Sequence, residues 1–191
     1  MFWKTAPILA TLALALPGGA GDRINPPQVP SNLEVPAGNR PFSIAHAEGT
    51  QNYICLPSGP TMMWTFLGPQ ATLFGPDDAQ VMTHFLSPNP DENHLARATW
   101  QDSRDSSAVW AVAIASSTDP VFVEQGAIPW LLLRAVGTEY GPQFGDRLAK
   151  TTFVQRVNTS GGNAPADGCR QPSDLGKRVM VPYTTDYVFY R

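Results

Sequence analysis

The stretch Phe42-Ser-Ile-Ala-His-Ala-Glu-Gly-Thr-Gln-Asn-Tyr-Ile-Cys-Leu56 carries the clearest fold signal in the chain. Phe42, Ile44 and His46 alternate with small residues, and Ile54 and Leu56 alternate with Tyr53 and Cys55. A period of two marks a half-buried β-strand. Glu48-Gly49-Thr50 between the two runs reads as a turn, so a β-hairpin is expected here. The stretch also holds one of three histidines and one of two cysteines.

Further short runs follow on the C-terminal side. Met62 to Leu67 is closed by Gly68-Pro69, Ala71 to Phe74 by Gly75-Pro76, and Val81 to Leu86 comes next. Ser87 to Ala98 reads as a long polar surface loop with room for one helical turn, and Thr99-Trp100-Gln101 as a short strand. Ala108 to Ala115 puts Trp110, Val112 and Ile114 on one face and alanines on the other, small enough to let something pack close. Ile128 to Val136 is strongly apolar, and its period does not separate a buried strand from a short helix. Thr151 to Val157 and Val179 to Tyr190 read as strands, the second with Val188 and Tyr190 opposite Tyr187 and Phe189. Many short runs, 16 glycines and 19 prolines as punctuation, and no long amphipathic helix predict an all-β sandwich or barrel. We read residues 41–191 as one domain with long loops.

On the N-terminal side, residues 1–20 have the anatomy of a secretory signal peptide. Lys4 precedes the apolar run Ala6 to Leu16, and Pro17-Gly-Gly-Ala20 offers small residues for cleavage. The apolar run is roughly half of the ~20 residues a bilayer span requires. Residues 21–40 are rich in proline and are expected to be extended, held along a sheet edge by Leu33 and Val35. A secreted or extracytoplasmic location follows, with no membrane span. In that setting Cys55 and Cys169 are expected to form a disulfide. The chain-entropy model assigns a loop of this length about 4–5 kcal/mol. A formal charge of −3 without a basic run argues against nucleic acid as a partner.

Motifs for chemistry are sparse. The chain has no G-x-S-x-G elbow, no H-E-x-x-H, no P-loop and no G-x-G-x-x-G after a strand, so no cofactor is expected. His46 and His84 lie in strand-like runs and begin a metal site only if the fold brings them together. Otherwise each is a hydrogen-bonded residue that fixes local geometry, and no metal is expected. Trp64, Trp100, Trp110 and Trp130 with the tyrosines either fill a core or form a ligand platform. Asn158-Thr-Ser160 matches the N-glycosylation pattern.

Several pieces resemble one family along most of the chain. They are Val35-Pro-Ala-Gly38, Ala45 to Cys55, Trp64 with Gly68-Pro-Gln-Ala-Thr-Leu73, His84-Phe85, Trp100, and Ile128-Pro-Trp-Leu-Leu-Leu133. Val154-Gln-Arg-Val-Asn-Thr-Ser-Gly-Gly162, Pro165, Cys169, Val181-Pro-Tyr183 and Tyr187-Val-Phe-Tyr190 complete the set. The chain is similar to DUF3455, a secreted domain of bacteria and fungi without a settled function. The resemblance implies a secreted β-rich fold. A compact Gly-Pro-Thr-Trp after the His-aromatic pair is stretched here to Ser87-Pro88 through Ala98-Thr99-Trp100.

The first functional reading is a binding or surface-associated module for carbohydrate or a small ligand. Its candidate surface combines His46, Gln51 and Tyr53 with His84 and Trp100. The alternatives are an extracellular hydrolase on polysaccharide or cell-wall material, and a His-ligated metal protein. Oligomeric state is not legible.

Overall fold

The computed structural model describes residues 24–191, so the signal peptide expected at 1–20 lies outside the described residues. Eight strands make up the fold: β1 (Pro41–Ser58), β2 (Thr61–Phe74), β3 (Gln80–Asn89), β4 (Leu95–Asp102), β5 (Ala108–Ser117), β6 (Trp130–Glu139), β7 (Phe153–Gly161) and β8 (Arg178–Tyr190). Each pairs antiparallel with its sequence neighbours, and β8 pairs back onto β1 from Pro41↔Tyr190 to Ile54↔Arg178. The result is a closed barrel, not a sandwich. Closure leaves no strand edge to aggregate, and a barrel of eight strands is narrow enough for side chains to fill.

The predicted hairpin at Glu48-Gly49-Thr50 is absent, because β1 runs through it as one strand and turns at Gly59-Pro60. Gly49 serves a close approach instead: a Cβ there would lie 2.0 Å from the Gln70 carbonyl oxygen on β2. Gly68-Pro69 likewise ends no strand. The register jumps from Tyr53↔Phe66 to Asn52↔Gly68, so Leu67 is the extra residue of a β-bulge, with Gly68 at φ +143°. The loop expected over Ser87 to Ala98 is mostly ladder. β3 and β4 stay paired out to Asn89↔Leu95, and one 3₁₀ turn, Pro90–Glu92, joins them. Asn89 caps that turn by accepting from the Asp91 N–H. The ambiguous apolar run became strand β6, with Pro129 just outside its first residue, where no ladder hydrogen bond is lost.

Two cores share the wall. Inside the barrel, Ala45, Leu73, Trp100, Val109, Tyr187 and Phe189 pack together. Outside it, Trp130, Leu132, Val157, Val188 and Tyr190 pack under the lead-in, whose Leu33 is fully buried. Gln155 donates to the Leu33 carbonyl at 2.7 Å. Since the barrel has no edge, the lead-in lies across a face rather than along one. The first residues of β6 are therefore buried on both sides, which explains why that run reads as nearly continuously apolar.

The two ends of the barrel differ. At the end where β1 begins, Leu148 is fully buried in the inner core. Its N–H donates to Ser107 Oγ at 3.0 Å, and the neighbouring Arg147 pairs with the buried Asp102 at 2.9 Å. At the other end, the long β1–β2 hairpin is tied to the segment 162–177. The Cys55–Cys169 disulfide bridges them with a Cα–Cα distance of 5.5 Å. Trp64 Nε1 donates to the Asp167 carbonyl at 3.0 Å.

Candidate functional site

The second end opens into a cup of about 230 Å³ inside the barrel. Three aromatic rings of the inner core border it. His84 on β3 and Trp100 on β4 are cross-strand partners, and their rings stack at 4.3 Å with planes 8° apart. Tyr187 on β8 meets the Trp100 ring edge-on at 5.2 Å. Ala98, Ala111 and Ala113 make one wall, with Leu131 and Leu133 beside them. Space exists there because alanine replaces the bulky residues that usually fill a small barrel. Phe66, displaced past the bulge, and Leu86 stand near the mouth.

Polar groups on the cup are few, and two of them are unmet donors. Gln51 is 2% exposed and Trp100 0% exposed. Neither Gln51 Nε2 nor Trp100 Nε1 has a hydrogen-bond acceptor among the described residues. Gln51 lies beside the Tyr183 hydroxyl but makes no well-formed bond to it. Leaving such a donor unmet costs about 1–3 kcal/mol. Arg156 on β7 also lines the cup. Its Nε and Nη2 donate to the Pro129 carbonyl at 3.1 and 2.8 Å, which anchors the guanidinium and leaves further N–H groups free of that contact.

Complete burial pushes the His84 imidazole down to about 3. It is therefore neutral at pH 7. Its Nδ1 lies 2.8 Å from the Thr99 carbonyl, which can only accept, so Nδ1 carries the proton and Nε2 the lone pair. Burial raises the Tyr183 and Tyr187 hydroxyls well above the usual phenol range. Both are neutral donors under ordinary conditions.

The five residues singled out from sequence are distributed as follows. Gln51, His84 and Trp100 meet at the cup. Tyr53 is buried in the wall, and its hydroxyl donates to the Gly162 carbonyl at 2.7 Å, holding the rim segment. His46 is on the outer surface, half exposed, with Nδ1 2.9 Å from Asp186 Oδ1. Because β1 alternates, His46 points away from the lumen while His84 points into it, and the two imidazoles share no ligand. Among the described residues no group of three or more His, Cys, Asp or Glu side chains is placed to hold a metal ion. Trp100, Trp110 and Trp130 are buried, so they do not form a surface platform.

Arg156 was not singled out from sequence, although a signal for it existed. Val154 and Arg156 have the same parity on β7, so a strand that buries Val154 in the lumen sends Arg156 there as well.

Residues 36–191 match the family model described as a protein of unknown function (DUF3455). The chain belongs to this family. No curated protein and no solved structure matches it. The family model begins just before β1 and covers the entire barrel, including the disulfide and every residue of the cup.

Proposed function

We propose that this DUF3455 chain is an extracytoplasmic binding protein that takes a small molecule, apolar in body and carrying an acceptor oxygen, into the barrel cup. The observation that carries this reading is that two of the three buried side-chain donors without acceptors among the described residues, Gln51 Nε2 and Trp100 Nε1, belong to residues that line one mostly apolar concavity. Ligand sites combine mostly apolar walls with a few convergent polar groups. Buried donors are normally satisfied, so two on residues that line one opening favour a ligand that brings an acceptor to them. Size supports a compact ligand, because a cavity of about 150 Å³ accommodates benzene and this cup holds about 230 Å³.

Secretion is supported by the signal-like residues 1–20 and by the disulfide, which persists in oxidising compartments. The hydrolase reading draws less support from the cup, since no Asp or Glu lines it. Recognition of a glycan along an aromatic strip is disfavoured by the burial of Trp100, Trp110 and Trp130.

The test is ¹H–¹⁵N spectroscopy of the tryptophan indoles during titration with benzyl alcohol, benzamide and benzoate. A saturable shift of the Trp100 indole is expected, and Ala113→Phe, which fills the mouth from an exposed position, should abolish it without lowering stability. No shift with any of the three, or shifts that survive Ala113→Phe, would overturn the assignment of the cup as the site.

A further inference from the structure

We propose that the ligand of the cup is an anion, a compact carboxylate whose apolar body fills the alanine-walled space and whose oxygens meet Arg156. This rests on the reading of the cup as a binding site and adds the charge and the chemical class of what enters it.

Only two residues lining the cup carry a formal charge, Arg97 and Arg156. Arg97 is already matched: its Nε and Nη2 donate to the two oxygens of Glu92, both at 2.7 Å. Arg156 has no carboxylate within ion-pair distance among the described residues; its guanidinium donates to the Pro129 carbonyl and lies beside the Tyr187 hydroxyl, both neutral groups. Its charge reaches Tyr53, His84, Tyr183 and Tyr187. None of these supplies a negative charge, because the imidazole and the phenols are held neutral by burial. A partly desolvated cation with neutral surroundings is attracted to an anion far more strongly than one in bulk water.

The donor set narrows the class. A guanidinium fixed at one edge still offers N–H groups in the planar fork that fits a carboxylate. Gln51 Nε2 and Trp100 Nε1 add two neutral donors with no protein acceptor. One uncompensated positive charge matches a monoanion. A phosphate monoester, with nearly two charges, would exceed the charge available. The walls, built from Ala98, Ala111, Ala113, Leu131 and Leu133, accept an apolar body.

The experiment compares benzoate with its neutral analogue benzyl alcohol by calorimetry and by the Trp100 indole shift, using the disulfide-bonded protein at pH 7 and low salt. Benzoate is expected to bind at least about tenfold more tightly, as a charge-assisted contact requires, with an advantage that declines as salt is added. Arg156→Gln should bring the two affinities together while benzyl alcohol still shifts the Trp100 indole. Arg156→Lys should retain part of the preference, since it keeps the charge and loses the fork. Equal affinities in the unmodified protein would overturn this inference and leave the small-molecule site standing. A preference unchanged in Arg156→Gln would also overturn it, because the anion would then be held elsewhere. Failure of every probe to move the Trp100 indole would remove the binding site itself.

Discussion

Replacing His84 with asparagine should flatten the acid limb of the stability curve. The imidazole is fully buried against Trp100 and Tyr187, and its folded value of about 3 compares with 6.5 in the unfolded chain. Between these two values the unfolded chain binds a proton that the folded chain refuses. Stability contributed by the neutral imidazole is therefore fully present above pH 6.5 and is lost as pH falls towards 3. The slope is about 1.4 kcal/mol per pH unit, so the fall from pH 6.5 to 4 amounts to about 3 kcal/mol. Against a typical total of roughly 5–15 kcal/mol, that loss is easily measured. The assay is urea unfolding followed by tryptophan fluorescence at pH 7, 6, 5 and 4, for the native protein and for His84→Asn. Glu92, held down to about 2 by its hydrogen bonds to Arg97 and Asn89, titrates in both proteins and cancels in the difference. So does Asp174, lowered to about 2 chiefly by Lys177. The gap between the two curves should narrow by about 3 kcal/mol over this range. A gap that stays constant from pH 7 to 4 would show that His84 is not held neutral by burial and would refute the reasoning.

Three further outcomes are expected. Replacing both Cys55 and Cys169 with serine should cost about 2–5 kcal/mol in denaturant unfolding, and limited proteolysis should then cut first within 162–177, the segment the bridge holds. Leu148→Ala should lower stability by about 2–5 kcal/mol by opening a cavity at the end where β1 begins, while leaving benzoate titrations of the cup unchanged. Gly49→Val should lower the melting temperature sharply in a calorimetric scan, because even a Cβ would lie 2.0 Å from the Gln70 carbonyl and the strands must part to admit it.

By itself, the sequence determined the class of the fold and the chemistry available to it. The period-two runs of Phe42 to Leu56, Ala108 to Ala115 and Val179 to Tyr190 could only be strands, since alternation is a local property of each segment. The opposition of Tyr187 and Phe189 to Val188 and Tyr190 was legible for the same reason, as was the pairing of the only two cysteines. Strand ends were not legible. Glycine marks a turn, a bulge and a close approach with the same letter, and which one applies depends on the partner strand. Gly49 became a contact with Gln70 and Gly68 a bulge only once β1 and β2 were in register.

Tertiary structure alone decided which residues meet. Closure of β8 onto β1 made a lumen, and that lumen gave each parity a meaning: His84 went inside and His46 outside. It brought Gln51, Trp100 and Arg156 to one cup from three strands far apart in the chain. It also turned the alanines of β5 from a surface fit for close packing into the wall of an open space. Long-range register, which no local pattern encodes, is what converts an alternating strand into one side of a site.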